Sequence, residues 1–295
     1  MINLVSTCLF MCLFASHQSS GQIHISKPDR SPVRHIQKVN PAKPERTDPY
    51  WQKALQEVYK SPEELAAQDV REKRRGLVLP KLARGNPAQK ILALTFDDGP
   101  HPGLTEKLLA ILKAKNVKAT FFVVGKMVEK QPDLLRRIEA DGHVIGNHSF
   151  SHVTLTKIPT MEIAAEYRAT NDLVKKILGK PLRFCRPPGG DYDQDVIQTA
   201  TELGLTTVLW TDDPGDYANP GDSVIQGRVL RKLTNGGIIL LHDGITQTLK
   251  ILPQVIDYAH KHGFRFETID ELARSVRQKK CRWGLPSPTG KFIEC

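Results

Sequence analysis

The sequence predicts an α/β fold around a parallel sheet. The first observation is an alternation: from Lys90 onward, seven short apolar runs are separated by seven helical stretches. The second is size, because 295 residues suffice for one large domain or two small ones with a substantial buried core. The third is composition. Apolar residues make up 40% and charged residues 25%, which argues against a mostly disordered chain or a polytopic membrane protein. No segment approaches the roughly 20 uninterrupted apolar residues of a spanning helix, so the mature chain is expected to carry no transmembrane span. An open doubly wound sheet and a barrel both satisfy the alternation, and both place ligand chemistry at the carboxyl ends of the strands.

Taken in order, Met1 to Gly21 holds no charged side chain. LVSTCLFMCLFA within it has the length of a signal-peptide core, and Ser19-Ser20-Gly21 offers small residues for cleavage. Residues 1–21 therefore read as a signal-peptide-like segment and the chain as exported: secreted, periplasmic or associated with the cell envelope. The basic n-region is missing, and Thr7 and Met11 are poor neighbours for lipid attachment at Cys8 or Cys12.

Residues 22–87 read as a basic linker and a short helical region. Pro, Lys, Arg and His fill 22–48 without a sustained apolar period. Trp51, Ala54, Leu55, Val58, Tyr59 and Leu65 then keep helical spacing, interrupted at Ser61-Pro62, where a second short helix restarts. REKRR at 71–75 leads to an extended piece, Leu77 to Leu82. Much of the net charge of +10 sits here: Gln22 to Lys90 carries 15 basic and 8 acidic residues, and the remainder 27 and 24. Such a leader is either merely solvated or drawn to an anionic polymer such as a cell wall. A nucleic-acid partner is not expected.

Residues 88–278 hold the alternation itself. ILALTF, VKATFFVVG, HVIGNHS, LRFCR, LTTVLWT, GGIILLH and FRFETI read as strands. The helices read as 104–115, 126–140, 160–178, 193–203, 221–233, 248–262 and 269–278. Residues 279–295 form a tail in which Cys281 and Cys295 bracket a Pro- and Gly-containing loop. A disulfide closing it would stabilise by about 3 kcal/mol in the chain-entropy picture. Cys185, at the end of an apolar run, reads as a buried free thiol.

The chemistry sits at the strand ends. The first strand ends in Asp97-Asp98-Gly99-Pro100 and the third in His148-Ser149-Phe150-Ser151-His152. The fourth ends in Arg186-Pro187-Pro188-Gly189-Gly190, the fifth in Asp212-Asp213-Pro214-Gly215-Asp216-Tyr217, and the sixth in His242-Asp243. Carboxylate, imidazole and guanidinium are thus delivered to one rim.

His148 and His152 stand four apart, the spacing that stacks two imidazoles on one side of a helical turn. A carboxylate from Asp97 or Asp98 would complete a two-His, one-carboxylate set with open positions. That set suits Zn²⁺ first, and also Co²⁺ or another divalent ion. Because alternate strand residues point to different sides, one aspartate can bind the ion while the other serves as a base toward water. An acidic pocket for Mg²⁺ and phosphate is the competing reading. It is disfavoured because no GxxxxGK[ST] loop is present and Mg²⁺ prefers oxygen ligands.

TFDDG, HSFSH, RPPGG, DPGDY and LLHD, in this order, resemble the five motifs of the polysaccharide deacetylase (NodB-homology) family of carbohydrate esterases, over roughly residues 88–275. The resemblance implies a distorted seven-stranded (β/α) barrel and a metal-dependent deacetylase. By position it implies Asp97 as catalytic base, Asp98, His148 and His152 as metal ligands, and Arg186 as the partner that positions the base. It further implies Asp216 as support for His242, His242 as the acid that protonates the leaving amine, and the Gly189 N–H as an oxyanion donor. Leu240 and Tyr217 would line the pocket for the acetyl methyl. Position 217 is Tyr where the family usually carries Trp, a smaller wall that bears on substrate preference.

The implied substrate is an acetylated polysaccharide, with N-acetyl groups of peptidoglycan or a chitin-like glycan ahead of others. O-acetyl removal from xylan, a cyclic-amide hydrolase on the same barrel, and a catalytically silent carbohydrate-binding relative are the alternatives.

Overall fold

The computed structural model of the chain describes residues 59–282, with side chains through 276. The leader, the linker through residue 58 and Cys295, with the bridge expected between it and Cys281, lie outside the described residues. Cys185 is a free, buried thiol, pushed up to about 12 by burial.

The first helix among the described residues, α1 (Pro62–Arg74), begins where Ser61-Pro62 interrupts the apolar period. Ser61 Oγ accepts from the Glu64 N–H, and the Glu64 carboxylate accepts from the Ser61 N–H, a reciprocal cap with Pro62 in the first turn. Leu65 is buried, and Gln68 Nε2 donates to the Tyr192 carbonyl at 3.0 Å. The extended piece supplies β1 (Lys81–Leu82), whose Lys81 pairs with Asp69 and Glu72 of α1 at 2.9 and 2.6 Å. This helix and strand therefore pack on the alternating α/β region.

The alternation continues as β2 (Ile91–Asp97), α2 (Thr105–Ala114), β3 (Thr120–Val123), α3 (Gly125–Lys130), α4 (Pro132–Ala140) and β4 (Val144–Asn147). Then come α5 (Thr160–Leu178), β5 (Phe184–Cys185), α6 (Gln194–Glu202), β6 (Thr206–Val208) and α7 (Asp222–Lys232). The described chain ends with β7 (Gly237–His242), α8 (Thr246–Lys261), β8 (Arg265–Phe266) and α9 (Ile269–Arg282). The helix expected over 126–140 is two, because Pro132 has no N–H to donate and Gln131 before it takes a non-helical φ of −135°.

All pairings are parallel, in the order β1-β6-β5-β4-β3-β2-β7. β7 runs along one side of β2, while β8 (at Ile91 and Leu92) and β3 (at Thr95 to Asp97) divide the other. The sheet curls until Asp212, just past β6, bridges Ile239 of β7. A single bridge in place of a ladder makes this a distorted barrel, as expected, with β1 as an added strand beside the expected seven. Every residue of β2 and β7 is buried, as parallel strands covered on both faces require.

Candidate active site

Asp97 closes β2, with Phe122 of β3 and His242 of β7 as its register partners. Two residues earlier, Thr95 pairs with Leu240. Period-two alternation therefore sends Thr95, Asp97, Leu240 and His242 to the same face. Asp98 departs from the strand with φ 75°, a left-handed conformation that aspartate tolerates. The alternation expected the two aspartates on different sides; this turn instead returns the second carboxylate to the first. His148 Nε2 lies 3.6 Å from Asp97 Oδ2 and 3.5 Å from Asp98 Oδ1.

The histidine pair also meets for a reason other than its spacing suggested. Residues 148–152 form no helical turn; Ser149 and His152 take φ 61° and 56° in a loop leaving β4. Hydrogen bonds pin that loop. The Ser149 N–H donates to Asn147 Oδ1 (2.8 Å), and the His152 N–H donates to Ser149 Oγ (3.0 Å). Glu166 of α5 accepts from the N–H groups of Phe150 and Ser151 (2.9 and 2.8 Å) and from the Ser151 hydroxyl (2.6 Å). The result is two Nε2 atoms 3.3 Å apart.

His148 Nδ1 sits 2.7 Å from the Arg186 carbonyl, which can only accept, so Nδ1 holds the proton and Nε2 presents a lone pair. Asp98 Oδ1 is 3.0 Å from His152 Nε2. Asp98, His148 and His152 thus set three buried ligand atoms on a triangle with edges of 3.0, 3.3 and 3.5 Å. Ligand atoms about 2.0–2.2 Å from a tetrahedral Zn²⁺ are about 3.4 Å apart, so the donor set fits such an ion. Its protonation suits that use as well. Burial, the largest influence, pushes His148 below its ordinary range. Burial opposes ionisation of Asp98, but His152, with His242 and His148 behind it, holds that carboxyl well below the usual range.

Beside the triangle, Asp97 Oδ1 accepts from Arg186 Nη1 at 2.7 Å, and the same nitrogen donates to Thr95 Oγ1 at 2.9 Å. Arg186 is fully buried; its guanidinium lies 4.2 Å from the Phe122 ring centre and its Nε donates to the Val208 carbonyl. A cation this enclosed needs its carboxylate partner, and the pair fixes Asp97 in place. Asp97 Oδ2 makes no hydrogen bond and remains available.

Across the site, His242 Nδ1 lies 2.7 Å from Asp216 Oδ1, and the His242 N–H donates to Asp216 Oδ2 at 2.8 Å. The Thr248 hydroxyl donates to the same Oδ2 at 2.5 Å. Burial disfavours the imidazolium, but Asp216, aided by Asp98 and Asp97, outweighs it and raises His242 to about 9. Nδ1 is therefore committed to Asp216, and Nε2 is the atom left to exchange a proton. Tyr217 stands edge-on to this imidazole at 5.3 Å, and Leu240 is fully buried two residues before it. Gly189 takes φ 64° in the turn Pro188–Gly190.

Sequence reasoning missed Thr95, Asn147, Glu166 and Thr248, which hold Arg186, the histidine loop and Asp216. Thr95 opens the TFDDG motif and Asn147 adjoins HSFSH, so both carried a signal by position. Glu166 and Thr248 arrive from helices and carried none.

Residues 84–208 match the family model described as polysaccharide deacetylase. A peptidoglycan-N-acetylglucosamine deacetylase of Bacillus cereus is 38% identical over 191 residues, covering 63% of this chain and 89% of that one. A chitooligosaccharide deacetylase of a Bradyrhizobium strain is 36% identical over 194 residues, covering 61% and 89%. Among solved structures, a family 4 carbohydrate esterase pseudoenzyme from Bacillus anthracis superposes with a TM-score of 0.65 at 28% identity, covering 68% of this chain and 71% of that one.

Proposed function

The chain belongs to the polysaccharide deacetylase family, and on that footing we propose that it removes N-acetyl groups from an amino-sugar polymer, peptidoglycan before chitin-like glycans. The observation that carries the proposal is the pairing of an acceptor triangle with two differently held proton carriers within one rim.

Asp98, His148 and His152 would hold a divalent ion, Zn²⁺ before Co²⁺. When bound, it supplies Lewis acidity toward the acetyl carbonyl and acidifies water. The reaction breaks the amide C–N bond and forms a C–O bond to water, giving acetate and an amine. Asp97, held by Arg186, takes the proton from the attacking water. The Gly189 N–H faces the developing oxyanion, and Leu240 and Tyr217 receive the methyl. His242 Nε2 gives a proton to the departing nitrogen, while Asp216 keeps Nδ1–H aligned. Export through the residues 1–21 leader fits a wall polymer as substrate. No helix among the described residues is long and apolar enough to cross a membrane.

That a similar structure is described as a pseudoenzyme raises a second reading, loss of turnover on the same fold, here with glycan retention as its role. Acetate release measured side by side on peptidoglycan, chito-oligomers and acetylxylan, with and without added Zn²⁺ or Co²⁺, separates them. Activity confined to acetylxylan would overturn the N-deacetylase assignment. Metal-loaded protein inert on all three yet retained by one in a pull-down would establish the binding role.

A further inference from the structure

Of the residues ahead of the capped helix α1, Tyr59 and Lys60 lie directly on the candidate site. The Tyr59 ring stacks on Tyr217 with centroids 4.2 Å apart and planes at 28°. It also stands edge-on to the His242 imidazole at 5.0 Å and 81°. Next along the chain, the Lys60 N–H donates to the Gly189 carbonyl at 2.9 Å, and Lys60 Nζ pairs with Asp191 at 2.8 Å. Three residues assigned to the reacting acetamide, Gly189, Tyr217 and His242, are therefore each touched by this two-residue strap.

The strap also helps to seal the site. Asp97 is 0% exposed, His242 1% and His152 2%, with Tyr59 itself at 6%. A polymer cannot bring an N-acetyl group to His242 Nε2 and Asp97 while both are closed off, so some element must move. The barrel strands are held by hydrogen-bonded ladders as well as by the core, whereas Tyr59 reaches the edge of that same buried cluster through its ring. The contacts described for the strap beyond α1 are aromatic ring contacts, one backbone hydrogen bond and partly exposed polar pairs of Lys60 with Asp191 and Gln68. Contacts of that kind contribute little individually and open more readily than core strands. A ring that only extended the Tyr217 wall would not also need to stand against the proton donor.

We propose that Tyr59 is an intrinsic plug of the catalytic pocket, an autoinhibitory contact that the glycan must displace. The proposal rests on the deacetylase reading of the site. Closure lowers apparent substrate affinity by the fraction of molecules that are open.

The test uses the full chain and three variants, Tyr59→Ala, Tyr59→Phe and Lys60→Ala, each checked for folding by circular dichroism. One readout is independent of turnover: the rate at which diethyl pyrocarbonate modifies His242, mapped by peptide mass. The other is KM and kcat on a short chito-oligosaccharide. Tyr59→Ala should speed His242 modification and lower KM by about 2- to 10-fold, the size expected from losing one stacked aromatic contact, with kcat retained. Tyr59→Phe keeps the ring and should stay closed. Lys60→Ala should shift both readouts in the same direction by less, and carries the test if Tyr59→Ala does not fold.

Unchanged His242 modification in the folded alanine variants overturns the plug, as does a fall in kcat/KM for Tyr59→Ala, which would make Tyr59 part of the substrate site. Faster modification without turnover of any acetylated glycan would sustain the plug while overturning the deacetylase reading.

Discussion

The two halves of the site are built on opposite principles. In the half that holds Asp98, His148 and His152, three buried ligand atoms converge at 3.0–3.5 Å. In the half that holds Asp216 and His242, donors saturate the carboxylate: the His242 N–H and the Thr248 hydroxyl reach Oδ2, while His242 Nδ1 and the Tyr217 N–H reach Oδ1. Buried ligand atoms brought this close favour a cation between them. A saturated relay is stable as it stands and leaves one atom, Nε2, for chemistry. The first half should therefore fail by losing an ion, and the second by losing a proton of suitable pKa.

The largest expected effect is on the first half. His148→Ala combined with His152→Ala should reduce bound metal, measured by elemental analysis of the folded protein, from one ion per chain to background, and abolish turnover. Undiminished metal in that variant would remove the basis for the contrast.

Next in size are substitutions that separate chemistry from binding. Asp97→Asn and His242→Ala should each lower kcat by about 10²–10⁴, the usual worth of a positioned acid or base, while the protein keeps its metal. Loss of the ion in both, or near-native turnover in either, would show that the halves are not divided as assigned.

A third test works through the loop supports. Glu166→Gln weakens the clamp on the backbone of Phe150 and Ser151 without touching a ligand. Metal affinity should drop by about 10- to 100-fold, as is typical of partners behind the ligands, with the basic limb of the pH profile unmoved. A competition titration against a chelator gives the affinity. A shifted limb with unchanged affinity would couple the two halves after all.

The contrast also explains what could be read in advance. The alternation of apolar runs and helices was legible because a parallel strand buried on both faces must be apolar throughout, as in β2 and β7. The position of the chemistry was legible because register places strand ends together, as for Asp97 and His242. The local geometry was not. Neither helical spacing for His148 and His152 nor strand alternation for Asp97 and Asp98 applies, since left-handed backbone at Asp98, Ser149 and His152 sets their directions. Single bridges and distant supports escaped for another reason. Thr248 and Glu166 lie on helices whose docking depends on the whole barrel, and so does the stack of Tyr59 on Tyr217.

The smallest effect should come from the relay, and its sign is fixed. The ordinary imidazole titrates near 6.5, and His242 is raised to about 9 chiefly because the nearby Asp216 carboxylate favours its charged form against burial. In the proposed role His242 works in its protonated form, so activity should be retained from neutrality upward and lost as pH rises through that value. Asp216→Asn removes the charge but keeps an oxygen for Nδ1–H, so the basic limb should move down toward 6.5 with metal content unchanged. The same linkage acts on stability: the His242–Asp216 pair contributes fully below about pH 6.5 and its contribution fades as pH passes the folded value. Thr248→Val removes only the hydroxyl donor to Oδ2 and leaves the carboxylate charged. With one fewer donor competing for its charge, Asp216 should hold the imidazolium at least as strongly, so the limb should stay or rise while kcat falls by a few fold from looser alignment, as the loss of one hydrogen bond to a charged group suggests. A limb that falls in Thr248→Val as far as in Asp216→Asn would mean that alignment, not charge, sets the His242 proton affinity.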